Sequence, residues 1–155
     1  MKPLSALLVV LAIMTGSMVA QSPRSGSQND PKIGKWKLRT AAPASGTREY
    51  EDRGCGVTLS TRQGVSADGR SYFSQYAAQF DGKDYPRVVR GSQVANTIAI
   101  TRVDDDTMSF TLKEEGKVTS QGTTTVSKDR KVLTVTTRRA GAEGPGSVEV
   151  YDRVP

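Results

Sequence analysis

The chain has 155 residues, enough for one domain with a modest core, and its 22 basic and 16 acidic residues give a net charge of +6. Histidine is absent and cysteine occurs once, which removes the usual general base, the commonest transition-metal ligand and any internal disulfide. Basic residues are interleaved with acids, as in Arg48-Glu49-Tyr50-Glu51-Asp52-Arg53, not gathered into a stripe that tracks a phosphate backbone, so nucleic acid is not an expected partner.

Residues 1–20 read as a signal peptide. Lys2 is a short basic start, Leu4 to Met14 is almost uninterruptedly apolar, and Thr15, Gly16, Ser17 and Ala20 are small residues that suit cleavage after Ser17 or Ala20. The apolar run is too short for a transmembrane span, so no stable membrane span is expected once it is removed, and the mature chain is expected in the periplasm or outside the cell. Residues 21–32 are expected to be a disordered lead, because Gln21 to Pro31 offers no apolar side chain beyond its prolines to offset the cost of ordering the backbone.

From Ile33 to Pro155 the pattern alternates with a period of two, the signature of strands. Trp36-Lys37-Leu38 opens the first and Ala42 to Gly46 breaks it. Thr47 to Asp52 follows, then a turn at Arg53-Gly54 and a strand with Val57, Leu59 and Thr61 in alternation. Ala67-Asp68-Gly69-Arg70 is an Asp-Gly hairpin turn leading into a long strand from Ser71 to Phe80, and Asp81-Gly82 reads as a second such turn. Lys83 to Val89 carries Pro86, which cannot donate to a ladder and belongs at an edge or bend.

Thr97 to Val103 precedes the turn Asp104-Asp105-Asp106, after which Met108, Phe110 and Leu112 share one face of a strand. Glu114 to Lys117 turns the chain into the Thr-rich stretch Val118 to Val126. Lys128 to Arg130 turns it again into Lys131 to Arg138, and the loop Ala140 to Gly146 leads to the last strand, Val148 to Val154. About nine or ten short strands joined by hairpins predict an all-β domain over 33–155, an antiparallel meander closed or nearly closed into a barrel, which hides its edges. A two-sheet sandwich is the alternative.

The opening Ile33-Gly34-Lys35-Trp36-Lys37-Leu38 resembles the first-strand signature of lipocalins and fatty-acid-binding proteins. The close, Val148-Glu149-Val150-Tyr151-Asp152-Arg153-Val154, resembles the end of the latter. Phe80-Asp81-Gly82-Lys83-Asp84-Tyr85-Pro86 and Val103-Asp104-Asp105-Asp106-Thr107 resemble small exported bacterial proteins of lipocalin-like type and unknown role. The chain departs from these families in having no helical lid segment and no cysteine pair at its C-terminus. The resemblance implies that Gly34 permits a close chain crossing at the barrel floor, that Trp36 plugs that end, and that Arg153 lies over the indole.

Two roles fit such a domain. It is either a binding module whose interior takes a small apolar or amphipathic ligand, or a structural protein that contacts polysaccharide or protein in the cell envelope. The candidate lining residues are Tyr72, Tyr76, Phe80, Ile98, Ile100, Met108, Phe110 and Leu112, which otherwise fill a solid core. No catalytic residues, cofactor or metal site are expected. Asp104, Asp105 and Asp106 form the densest acidic cluster but fall at a turn, where acids bond local backbone. Cys55 is expected to be a small, partly buried, inert residue.

Overall fold

The computed structural model describes residues 29–40 and 43–155. The leader expected over 1–20 and most of the lead lie outside them. Ten strands follow one another: β1 (Gly34–Leu38), β2 (Ser45–Asp52), β3 (Thr58–Val65), β4 (Ser71–Ala78), β5 (Asp81–Val89), β6 (Asn96–Arg102), β7 (Thr107–Glu114), β8 (Lys117–Val126), β9 (Val132–Arg139) and β10 (Ser147–Arg153). Each pairs antiparallel with its sequence neighbours, and β1 pairs with β10 to close a barrel. The closed meander, not the sandwich, is the architecture, and closure removes the exposed edges that an open sheet would present.

Alternate residues on each strand face inward. In the half nearer the N-terminal end of β1, which we call the floor half, that inward set is large and apolar. Trp36, Tyr50, Val126, Leu133, Val135 and Tyr151 form one buried cluster, Ala78, Ile98, Ile100 and Met108 a second, and Phe110 packs against both. The floor half is therefore solid.

Four expectations are corrected. Asp81-Gly82 is not a hairpin turn, because β4 ends at Ala78 and the chain reverses through Gln79 and Phe80. The Asp-Gly pair instead makes a bulge inside β5. Gly82 takes a φ of 77°, Asp81 Oδ1 accepts the Lys83 N–H at 3.1 Å, and the register to β6 shifts between Asp81 and Asp84. Phe80 consequently leaves the strand it was expected to end. Cys55 is exposed, held at a φ of 50° in the turn between β2 and β3.

The lead does not run free to residue 32. Asp30 and Lys32 are buried, the latter completely, because their charges pair there instead of seeking water. Pro86, expected at an edge or bend, lies where the β4–β5 ladder stops: that ladder runs only from Ser74↔Val89 to Tyr76↔Arg87. Proline has no N–H with which to extend it.

Candidate functional site

The floor is closed by residues from both ends of the domain. Trp36 is fully buried and its Nε1–H donates to the Lys32 carbonyl at 2.9 Å. The Arg153 guanidinium lies 4.1 Å from the indole centroid and donates to the carbonyls of Ile33, at 2.9 Å, and of Pro31. Gly34, at a φ of 126°, leaves that passage open: a Cβ there would sit 2.8 Å from an Arg153 nitrogen.

Beside this plug, Lys32 Nζ lies 2.6 Å from Asp30 Oδ1, and Arg102 pairs with the other oxygen of the same carboxylate. Both cations also lie over the ring of Phe80, at 5.3 and 4.8 Å. Burial by itself would raise the Asp30 carboxyl, but Lys32 and Arg102 hold it below its ordinary value.

Above the solid half, the interior opens into a cavity of about 230 Å³. Its walls differ in chemistry. On one side Ile98, Phe110, Leu112 and Val135 present hydrocarbon, while on the other Arg48, Arg62 and Arg87 face inward from β2, β3 and β5. A single carboxylate, Glu149 on β10, stands among the lining residues, so the cavity carries an excess of two positive charges.

Glu149 is already engaged. It pairs with Arg62, lies 3.7 Å from Arg48 Nη2, and accepts the Tyr151 hydroxyl at 2.9 Å. Arg48 also donates to the Tyr50 hydroxyl at 3.3 Å, and Arg62 stacks on Tyr72 at 4.3 Å. Even so, acceptors are short. The Nε–H groups of Arg48 and Arg62 are buried without a hydrogen-bond partner.

Arg87 has neither a hydrogen bond nor an ion pair among the described residues. Burial, and then the Arg62 and Arg48 charges, push its guanidinium below its ordinary value, against the opposing pull of Tyr76 and of the exposed carboxylate Glu114. Tyr76, the cross-strand partner of Arg87, is raised by burial and stays a neutral hydroxyl.

The residues expected to line a site divide among three places. Tyr76, Ile98, Phe110 and Leu112 do line the cavity. Ile100 and Met108 lie in the packed cluster nearer the floor, and Phe80 is part of the floor itself. Tyr72 covers the two inward glycines at the far end, Gly46 and Gly64: its hydroxyl, which donates to the Ser45 carbonyl at 3.2 Å, occupies the space a Cβ on either would need.

The three arginines and Glu149 were not anticipated. Strand parity was the available signal, since Arg48 shares a face with Tyr50, Arg62 with Ser60 and Glu149 with Tyr151, all of them buried. Their charge argued for the outside and hid it.

Nothing on the acidic turn is built for metal. Asp104 Oδ1 accepts the N–H groups of Asp106 and Thr107, each at 2.8 Å, and Asp106 pairs with Lys128. Among the described residues no group of His, Cys, Asp and Glu is placed to hold an ion. A wider hollow of about 700 Å³ over β1–β4 is lined by Lys37, Thr47, Gln63, Phe73 and Arg90. Those side chains have the parity opposite to the interior set, so the hollow lies mainly on the outer face, reaching the inward Gly46, Gly64 and Tyr72 only where the two glycines leave the wall thin.

No protein family and no curated protein matches the chain. Among solved structures it is similar to fatty-acid-binding protein 1 of Echinococcus granulosus, with 14% identity over 81% of this chain and 98% of that one, at a TM-score of 0.61. A second similar structure, EF1p2_mFAP2b bound to DFHBI, has 15% identity over 80% of this chain and 94% of that one, at a TM-score of 0.47. The first likeness shows the fold: this chain has the ten-stranded lipocalin-like barrel.

Proposed function

We propose that the protein binds a small amphipathic organic anion inside the half of the barrel above the packed floor and does no chemistry on it. The observation that carries this reading is the unbalanced charge of the cavity. The lining holds three guanidiniums and one carboxylate, Glu149, which Arg62 and Arg48 already engage, and Arg87 has no hydrogen bond or ion pair among the described residues. Holding unpaired charge out of water is costly unless something compensates it. A ligand anion seated against Arg87 supplies that compensation, and its apolar body lies against Ile98, Phe110, Leu112 and Val135. The shared fold with a protein named for binding a fatty acid supports the reading. The small volume argues for a short chain. We also take the protein to be exported, on the strength of the apolar stretch from Leu4 to Met14.

Isothermal titration calorimetry of the full chain with hexanoate, hexyl sulfate and hexyl phosphate tests the binding. At least one should bind, and Arg87→Ala should weaken it by about tenfold or more. If none binds more tightly than uncharged hexanol, the reading is wrong.

A further inference from the structure

We infer that the head group this cavity takes is a dianion of the phosphate monoester class. The inference rests on the proposed binding function and goes further, from an anion to its charge and shape.

Charge balance comes first. Among the lining side chains, three guanidiniums and Glu149, a monoanionic ligand such as a carboxylate leaves one positive charge with no counter-charge in the cavity wall, and only the exposed Glu114, outside that lining, pulls on Arg87. A dianion brings the cavity to neutrality. Two opposite charges a few ångströms apart attract more strongly between half-buried side chains than in bulk water, so the second charge on the ligand counts for more here than in solution.

Shape comes second. Arg48 and Arg62 are direct cross-strand neighbours. Like charges placed so are unfavourable in themselves, and Glu149, which both of them approach, compensates for this. Arg87 lies further round the wall, two strands from Arg62, with Ser74, opposite Arg62, and Tyr76, opposite Arg87, on β4 between them. The donors are therefore spread around a space and not set as one fork. Ser74, Thr137 and Ser147 add hydroxyls to the lining. A tetrahedral group with three terminal oxygens meets donors arriving from several directions, whereas a planar carboxylate suits one bidentate partner.

The test uses the second ionisation of a phosphate ester, which falls near pH 6. Hexyl phosphate, hexyl sulfate and inorganic phosphate are titrated into the full chain by calorimetry at about pH 7.5 and about pH 5, on either side of that ionisation. We expect hexyl phosphate to bind about tenfold or more tightly than hexyl sulfate at the higher pH and to lose that advantage at the lower. Hexyl sulfate stays a monoanion throughout and reports any change in the protein itself. Arg87→Gln should cost hexyl phosphate more affinity than it costs hexyl sulfate.

Equal affinities for the two esters at the higher pH would overturn the dianion assignment and leave the anion-binding function standing. Inorganic phosphate binding as tightly as hexyl phosphate would overturn the ester assignment in favour of the free ion. Binding of neither ester would overturn the inference, and would remove the function with it where hexanoate also fails to bind.

Discussion

Arg153 covers the indole of Trp36 from the last strand of the barrel, paired in register with it across the β1–β10 seam. The contact joins the two ends of the domain at the one ladder that no hairpin connects. Chain connectivity brings every other pair of strands together, but this pair is held by its own backbone ladder and by its side chains.

Replacing Arg153 with alanine should therefore destabilise the protein more than an ordinary surface change. The cation–π contact is worth about 0.5–2 kcal/mol. The carbonyls of Ile33, Pro31 and Arg130 would also lose a charged donor, and each such bond is worth about 1.5–3 kcal/mol when made. Because the site is partly open to water, we expect a net loss of about 2–4 kcal/mol. A lower midpoint of denaturant unfolding with an unchanged slope would show it, and Arg153→Lys should recover less than half.

Asp30 gives the protein a pH dependence whose sign follows from its environment. Its folded-state value lies below the ordinary 3.8 because Lys32 and Arg102 stabilise the carboxylate. Its contribution is thus fully present above the unfolded value and is lost as pH falls through the folded one. Asp30→Asn should cost about 3–5 kcal/mol near neutral pH, as expected for breaking a buried pair. The difference from the native chain should shrink toward zero in strong acid. The aspartates at exposed turns, such as Asp104 and Asp129, are also lowered, so the measurement that isolates Asp30 is this difference, followed by urea unfolding across the acid range.

Glu149 neutralises part of the cavity while occupying two of its arginines. Glu149→Gln should lower stability by about 1–3 kcal/mol by leaving charged donors short of an acceptor. The same change should tighten hexyl phosphate, because the competing carboxylate is gone. Opposite movement of the unfolding midpoint and the calorimetric affinity is the expected result. A parallel loss of both would mean that Glu149 positions the site and does not compete for it.

Gly122 gives Phe110 its place. A Cβ at Gly122 would sit 2.6 Å from Phe110 Cζ and would also overlap the Thr136 carbonyl. Gly122→Ala should therefore cost about 1–3 kcal/mol and push the ring toward the cavity. Hexyl phosphate affinity should fall together with the melting temperature. An affinity that holds while stability drops would show that the ring has moved elsewhere.

Much of this fold was legible in the residues because its causes are local. The run of Met108, Phe110 and Leu112 on one face and the turn at Asp68-Gly69 each follow from the preferences of a few neighbouring positions. The pair read as a hairpin turn, Asp81-Gly82, does carry a left-handed backbone step, at Gly82. What its neighbours could not reveal is whether that step reverses the chain or makes a bulge in a strand that continues. Partnership with β6 on one side and the shortened ladder to β4 on the other decided it.

The sequence by itself determined a meander of short antiparallel strands, since period-two alternation and turn residues act within a few positions of one another. Only the tertiary structure decided what the interior contains. An arginine read alone belongs to water, and Arg48, Arg62 and Arg87 turn inward because on that same face β2 and β3 bury Tyr50 and Ser60 and β5 packs Tyr85 against the apolar cluster. Closing the ring then set the guanidiniums of β2 and β3 against one carboxylate on β10, a juxtaposition that no stretch of chain encodes, because it arises only when the first and last strands meet.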